Sequence, residues 1–381
     1  MNIALTKFKK METQFAETHI KEFIENLRKD YEARQNAIID IAISGQSGSG
    51  KSSLINAIVG RKVAEVGITE TTTQIKSYKS GGINFFDLPG CGTEQFPVNV
   101  YIDNCKLNSF DAVIIVTANR FYENDIWLIK EMVRIGRPVY VVRTKMDDTI
   151  RDGKYDEGLN EVEVFEKVKD DIRKNVGNVK INGIYLISSR EPLKMDLSNL
   201  LIDIKNNLVS IKRQRFISDV SPLNSQILLA KRDVAISVVK YRAAAAALNG
   251  INPIPGLDIS LDVAILLNMA LEIKNIYGLD EENINELSKK MKSKANFTAF
   301  SLKVGQYSSK FVTKEGIIIL LKRFAVNIGS QEILKYIPFV GQIASAGIGY
   351  KMTYSFGDNL IKESESLVNE ILVRTESDII S

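Results

Sequence analysis

The sequence is short of the residues on which most hydrolase and zinc chemistry depends. Its 381 residues include one histidine, His19, in a segment with helical periodicity. This shortage excludes most Ser–His and Cys–His catalytic arrangements. The two cysteines, Cys91 and Cys105, are too few for a disulfide framework and have no histidine-rich neighbourhood that would suggest zinc. The composition therefore predicts a reducing, cytoplasmic setting.

Long apolar runs and a strong charge of one sign are absent as well. No charge-free stretch approaches the about 20 residues that cross a bilayer. The first residues lack the apolar core of a signal peptide, and Asn2 stands where N-myristoylation needs glycine. We therefore expect a protein that is not secreted, not transmembrane and not myristoylated. The net charge of +4 is small for this length, so we expect no nucleic-acid partner.

The pattern of apolar residues divides the chain into three segments. Residues 1–37 predict an N-terminal helix, because apolar side chains recur at helical spacing over 5–37. Residues 38–208 alternate short β-branched runs with helical stretches, which predicts a doubly wound α/β domain. The expected strands lie at 38–44, 73–79, 83–88, 112–117, 138–144 and 183–188, and the expected helices at 51–59, 123–135 and 159–176. Residues 209–381 predict an all-helical domain, on which the N-terminal helix is expected to pack.

The stretch "GQSGSGKS" (45–52) follows a predicted strand and opens a predicted helix, which is the context of a phosphate-binding Walker loop. Its glycines allow successive backbone N–H groups to point at phosphate oxygens. Lys51 is expected to neutralise the β- and γ-phosphates, and the Ser52 hydroxyl to ligate Mg²⁺. The other residues expected at the nucleotide have small side chains or none: Gly45, Ser47, Gly48, Ser49, Gly50 and Ser53.

The stretch "DLPGCG" (87–92) ends the third predicted strand. Asp87 is expected to hold Mg²⁺ through its water shell, and the Gly90 N–H to contact the γ-phosphate. Many switch-type GTPases carry a water-orienting glutamine directly after this glycine. Here the chain has Cys91 and Gly92, and neither can orient a water. The sequence therefore predicts that another group positions the attacking water.

The stretch "TKMD" (144–147) predicts the specificity for the base. The Asp147 carboxylate can accept hydrogen bonds from N1–H and N2–H₂ of guanine, whereas adenine would leave it unpaired. This contrast predicts selection of GTP over ATP. Thr144 belongs to the same motif, and the stem of Lys145 can lie along the purine. After the last strand, Ser188 and Ser189 are the candidates for a backbone N–H that meets guanine O6.

The stretch "EVGITETTTQ" (65–74) is expected to contain the threonine that senses the γ-phosphate. Thr69, Thr71, Thr72 and Thr73 compete for this role, and the sequence does not choose among them. Thr72 is named here as the expected catalytic and metal-binding residue, and Gly67 is expected to contact the nucleotide.

Taken in order, these motifs resemble the immunity-related, or interferon-inducible, GTPase family, as a distant or microbial member. "RFYENDIW" (120–127) and "PIPGLDISLDVA" (253–264) are the most specific stretches. The resemblance covers nearly the whole chain. It implies a Ras-like P-loop G domain with a mixed, mostly parallel sheet, joined to an all-α domain built from N- and C-terminal helices. It also implies slow hydrolysis of GTP to GDP and phosphate.

The resemblance further implies partners and a catalytic set. Members of the family dimerise across their nucleotide faces and oligomerise on intracellular membranes, so we expect a second copy and a membrane surface as partners. Glu70 aligns with the switch glutamate that the family is thought to use across the dimer, and it joins Lys51, Thr72 and Gly90 as expected catalytic residues. The alternative is a GTP-gated switch whose partner contacts loops 65–74 and 90–98 without cooperative turnover.

Overall fold

A computed structural model describes residues 22–65, 75–92, 94, 96–222, 224–251, 258–290, 294–327 and 346–380. The chain divides into two compact units. The first, here called the sheet unit, comprises Asn36–Leu228 with Asn285–Lys289. The second, the helical unit, comprises the described residues of Met1–Gln35, Leu229–Ile284 and Lys290–Ser381.

The sheet unit is built on a six-stranded sheet in the order β2-β3-β1-β4-β5-β6. The strands are β1 (Ile39–Ser44), β2 (Lys76–Ser80), β3 (Ile83–Asp87), β4 (Ala112–Thr117), β5 (Val139–Arg143) and β6 (Gly183–Leu186). β2 runs antiparallel to β3, and all the other pairs are parallel. The sheet is therefore mixed and mostly parallel, and the predicted fold class is confirmed.

The central strands are short apolar runs because both faces of the sheet are covered by helices. Every residue of β4 and β5 is buried, and so is all of β1 except Asp40. In a parallel sheet the strands present their carboxyl ends at one edge, where loops carry functional residues. Ser44, Thr117 and Arg143 end β1, β4 and β5 and mark this edge.

The flanking helices of the sheet unit include several that the sequence did not predict. In chain order, after α1 (22–36) of the helical unit, they are α2 (Lys51–Val59), α3 (Val98–Asn104), α4 (Glu123–Arg134), α5 (Met146–Glu157), α6 (Glu161–Val176), α7 (Leu197–Asn207) and α8 (Ser210–Asp219), with a 3₁₀ turn at Leu107–Ser109. Only Met146 is buried on α5, so this helix lacks the apolar periodicity by which sequence patterns are recognised.

The described part of the helical unit contains only helices. These are α1, α9 (Ser225–Ile251, which begins in the sheet unit), α10 (Asp258–Ile276), α11 (Glu281–Lys290, shared with the sheet unit), α12 (Lys294–Phe311), α13 (Lys314–Asn327) and α14 (Ala346–Ile380). None of the described helices is both long and apolar enough to cross a bilayer.

Polar side-chain contacts join the helices of the helical unit to one another, including the N-terminal helix α1. Arg34 of α1 is almost fully buried and donates from Nη2 to Glu272 Oε1 of α10 at 2.9 Å. Tyr31 donates to the other oxygen of Glu272 at 2.7 Å. Arg232 of α9 donates from Nε to Glu365 Oε1 of α14 at 2.6 Å. These contacts explain why segments distant in sequence form one unit.

The division between the units lies later in the chain than the predicted boundary at 208/209. The sheet unit extends to Leu228 because α8 is anchored to the sheet. Lys212 Nζ lies 2.7 Å from an Asp111 carboxylate oxygen, and the Gly82 N–H donates to Asp219 Oδ2 at 2.7 Å. The sequence pattern placed these residues in an all-helical domain and gave no sign of these contacts.

Candidate functional site

The loop between β1 and α2 has the backbone conformation of a phosphate cradle. Gly45 has φ 152° and Gly50 has φ 92°, a region that side chains other than glycine rarely adopt. A Cβ on Gly45 would lie 2.1 Å from Val116 O, so no larger residue fits there. The loop leads directly into α2, whose N-terminal N–H groups suit an anion. All the predicted residues of this loop therefore lie in one turn at the carboxyl edge of the sheet.

Lys51, Ser52 and Asp87 come together at this turn. Lys51 Nζ donates to Gly45 O at 3.1 Å and lies 3.6 Å from Asp87 Oδ1, and its side chain is 5% exposed. The Ser52 hydroxyl donates to Asp87 Oδ2 at 3.2 Å. An ammonium group, a hydroxyl and a carboxylate thus lie together at the start of α2.

The Asp87 carboxylate is buried without full compensation. Burial raises the pKa of Asp87, and the nearby Lys51 ammonium partly opposes that rise. Within the described residues, Asp87 Oδ1 has no hydrogen-bond partner. A buried carboxylate oxygen beside a serine hydroxyl is an oxygen donor set of the kind that Mg²⁺ prefers.

Thr144 connects the base-recognition segment to the phosphate loop. Its hydroxyl donates to Ser49 O at 2.5 Å and lies 3.3 Å from Thr117 O, and the side chain is buried. Its backbone N–H also donates to Thr117 O, at 2.9 Å. Thr144 therefore links β4, β5 and the loop before α2.

The predicted guanine-binding residues lie on neighbouring turns. Lys145 has φ 55° and caps α5, whose first turn carries Asp147. The Met146 N–H donates to Ile187 O at 3.3 Å, which brings this turn to the segment after β6. Ser188 is fully buried and its hydroxyl accepts from two backbone N–H groups, while Ser189 is half-buried.

Arg190 is a site residue that the sequence reasoning missed. Its Nη1 donates to Asp147 Oδ2 at 3.0 Å and to Asp148 Oδ1 at 3.3 Å. The side chain is 74% exposed, so solvent screens the pair and it contributes little to stability. A basic residue directly after the serine pair, opposite two adjacent carboxylates, was the signal that could have identified it.

Neither Cys91 nor Gly92, the two residues directly after Gly90, has a group that can orient a water. Cys91 is 2% exposed, and burial raises the pKa of its thiol to about 12, so it is neutral at physiological pH. Gly92 has φ 83°, and a Cβ there would lie 1.9 Å from Asn124 Nδ2. On the other side, Gln46 Oε1 lies 3.4 Å from the position of a Cβ on Gly90. Gln46 was also missed, because the Walker pattern leaves its position unspecified.

Several predicted switch residues fall outside the described residues. They belong to the segment 66–74: Gly67, Thr69, Glu70, Thr71, Thr72 and Thr73. Their predicted roles, including the metal-binding role of Thr72 and the catalytic role of Glu70, stay predictions.

Comparisons with known proteins identify the family. The interferon-inducible GTPase (IIGP) family matches residues 5–347. The chain is 27% identical over 360 residues to "Interferon-inducible GTPase 1" of Mus musculus, covering 89% of this chain and 84% of that protein. It is 22% identical over 377 residues to "Interferon-inducible GTPase 5" of Rattus norvegicus, covering 95% of this chain and 81% of that protein. A solved structure of a probable GTP-binding protein, engB, has 19% identity and a TM-score of 0.32, covering 45% of this chain and 98% of that one.

The family match extends over most of the chain, including both units and every motif described above. The predicted family is thereby confirmed. The chain belongs to the interferon-inducible GTPase family and is a P-loop GTP hydrolase that binds GTP and GDP.

Proposed function

We propose that hydrolysis by this GTPase depends on Mg²⁺ and on GTP-driven association with a second copy of the chain. The observation that carries the second part is the segment after Gly90. Cys91 is a buried neutral thiol and Gly92 has no side chain, so neither of the two residues that follow Gly90 can orient the attacking water.

The metal part of the proposal rests on the pair formed by Ser52 and Asp87. Their side-chain oxygens lie 3.2 Å apart, and Asp87 Oδ1 is buried without a hydrogen-bond partner among the described residues. Ser52 and Asp87 would hold the ion, with Thr72 as a further proposed ligand. An ion held there would supply positive charge to offset the negative charge of the phosphates.

The chain's own groups divide the remaining work. Lys51 supplies a positive charge to the β- and γ-phosphates, and the Gly90 N–H donates to the γ-phosphate. Loop N–H groups hold the phosphates in place, so that most of the catalytic effect is positioning and electrostatics. Asp147 accepts from guanine N1–H and N2–H₂, with Lys145 along the ring and the backbone near Ser188 and Ser189 at O6.

The attacking water is positioned by Glu70 or by a group from the second copy. Association across the nucleotide faces would bring new polar groups to the γ-phosphate, which Cys91 and Gly92 cannot provide. Hydrolysis would then end the association, because the γ-phosphate that orders the switch segment is lost.

A GTPase assay across protein concentrations, read alongside light scattering, tests the association. Specific activity and GTP-dependent scattering should rise together, because the fraction of associated chains grows with concentration. ATP in place of GTP provides the matched control and should produce neither rise. A specific activity that stays flat over the range would reject assembly-dependent turnover and favour the alternative, a GTP-gated switch read by another protein.

We further propose that the protein acts in the cytoplasm, with peripheral contact to an intracellular membrane and without a nucleic-acid partner. Two free, buried cysteines and a small net charge support this setting. Flotation with phosphatidylcholine–phosphatidylserine vesicles should show more bound protein with a non-hydrolysable GTP analogue than with GDP. Equal flotation with both nucleotides would remove the membrane from the proposal.

A further inference from the structure

Tyr101 forms a buried hydrogen-bonded connection between the two phosphate-binding segments. It lies on α3, which begins six residues after the "DLPGCG" stretch ends, and its side chain is fully buried. Its hydroxyl donates to Pro89 O at 2.6 Å and lies 2.9 Å from the Ser44 hydroxyl oxygen. Ser44 immediately precedes Gly45, and Pro89 immediately precedes Gly90. One phenol oxygen therefore joins the residues that precede both glycines.

The direction of each hydrogen bond follows from the atoms involved. A carbonyl oxygen can only accept, so the single phenolic proton of Tyr101 is directed to Pro89 O. The Ser44 hydroxyl must then donate its own proton to the Tyr101 oxygen. Burial raises the pKa of Tyr101 well above its ordinary value, so the phenol keeps this proton throughout the neutral range.

This connection fixes the direction of the Gly90 N–H. The carbonyl of Pro89 and the N–H of Gly90 belong to one peptide group, which is planar and trans. In such a group the C=O and the N–H point in opposite directions. Holding the Pro89 oxygen against Tyr101 therefore directs the Gly90 N–H away from α3.

The backbone hydrogen bonds on either side of the Pro89–Gly90 peptide do not set the direction of this peptide. The Leu88 N–H donates to Ile43 O of β1 at 2.9 Å, which fixes the chain after β3 as far as Leu88. Proline has no N–H, so the Leu88–Pro89 peptide donates no hydrogen bond here, and the carbonyl of the Pro89–Gly90 peptide is held by Tyr101. Among the described residues, the next bonds along the chain run from Asn124 Nδ2 to Cys91 O at 3.2 Å and from the Gly92 N–H to Phe96 O at 2.9 Å.

We infer that Tyr101 is a positioning residue for GTP hydrolysis, which aims the Gly90 N–H at the γ-phosphate and ties that aim to the phosphate loop through Ser44. The inference rests on the proposed role of Gly90. The hydrogen bonds of Tyr101 are not part of the nucleotide-binding motifs, because Ser44 and Tyr101 both lie outside those motifs.

The test compares GDP with a non-hydrolysable GTP analogue, because the Gly90 N–H contacts only the γ-phosphate. In Tyr101→Phe the phenol proton is lost while the ring remains. We expect affinity for the GTP analogue and kcat to fall by about tenfold, with affinity for GDP within twofold of wild type. Ser44→Ala should lower the affinity for the GTP analogue in the same selective way but by less. Ser44→Thr keeps the hydroxyl and should therefore bind the GTP analogue like wild type.

Tyr140→Phe provides the matched control. Tyr140 is also fully buried, and its hydroxyl bonds a backbone carbonyl, Asp203 O, at 3.3 Å, but it lies in β5 away from the phosphates. Its loss should leave the ratio of GTP-analogue to GDP affinity unchanged. The fluorescence of the single tryptophan, Trp127 on α4, reports whether the sheet unit of each variant is folded.

The results separate a failure of this inference from a failure of the proposed site. Gly90→Ala adds a methyl group that the protein itself accommodates, since the nearest atom is 3.4 Å away, and it should weaken the GTP analogue alone. If Gly90→Ala does so while Tyr101→Phe and Ser44→Ala resemble wild type, the role of Tyr101 is rejected and that of Gly90 stands. If Gly90→Ala has no selective effect, the γ-phosphate contact itself is wrong.

Equal losses for GDP and the GTP analogue in Tyr101→Phe would reduce Tyr101 to a packing residue. A Tyr101→Phe chain that does not fold leaves the decision to Ser44→Ala.

Discussion

Lys51→Ala is expected to abolish measurable nucleotide binding and, with it, GTP hydrolysis. The ammonium group is 5% exposed and lies within 3.6 Å of Asp87, so it acts in a site where water screens charge poorly. Charge-assisted hydrogen bonds to phosphate contribute about 1.5–3 kcal/mol each, which for two phosphates corresponds to about a hundredfold loss of affinity or more. Titration with a fluorescent GDP or GTP analogue measures the effect.

Two further variants separate lost charge from lost structure. Lys51→Met keeps an unbranched chain of similar length, so it preserves packing and should lose affinity as strongly as Lys51→Ala. Lys62→Ala removes the same charge from an exposed position shortly after α2 and should bind like wild type. Near-normal binding by Lys51→Met would mean that the phosphates do not depend on this ammonium group.

Asp147→Asn is expected to exchange the preferred base from guanine to xanthine. In the proposed site the carboxylate would accept from both N1–H and N2–H₂ of guanine, whereas the asparagine amide offers one acceptor and one donor. Xanthine has a carbonyl where guanine has the amino group, so the new N–H gains an acceptor there. We expect GTP affinity to fall by about a hundredfold, because a paired polar group becomes mismatched, and xanthosine triphosphate to be hydrolysed instead.

Asp148→Asn is the matched control for that exchange. Asp148 carries the same charge, lies in the same helical turn and also accepts from Arg190, at 3.3 Å. Its substitution therefore reproduces the change in charge and the weakened contact with Arg190, and the preference for GTP should persist. Competition between GTP and xanthosine triphosphate measures both variants. An Asp147→Asn enzyme that still prefers GTP would show that another residue selects the base.

The sequence predicted those features that depend on a local pattern. The apolar runs of β1, β4 and β5 predicted buried parallel strands, and the glycine spacing predicted the turn from Gly45 to Lys51. In each case the residues that decide the structure are neighbours in the chain. The strand boundaries observed at 39–44, 112–117 and 139–143 lie within one residue of the expected ones.

Contacts between distant residues were not predictable in this way. The hydrogen bonds of Ser44 with Tyr101, of Asp147 with Arg190 and of Gly82 with Asp219 join segments far apart in sequence. No periodicity encodes them, because each depends on how completed elements pack. The boundary between the units differed for the same reason, since Lys212 and Asp219 hold α8 to the sheet through their side chains.

The hydroxyl of Thr144 fixes the distance between two parts of the proposed nucleotide site. Because it bonds Ser49 O in the phosphate loop and lies 3.3 Å from Thr117 O at the end of β4, contacts within the protein set the spacing between the proposed base-binding turn and this loop. A nucleotide must match that spacing through its sugar. The site therefore measures the length of the molecule between its two ends, in addition to identifying each end by its hydrogen bonds.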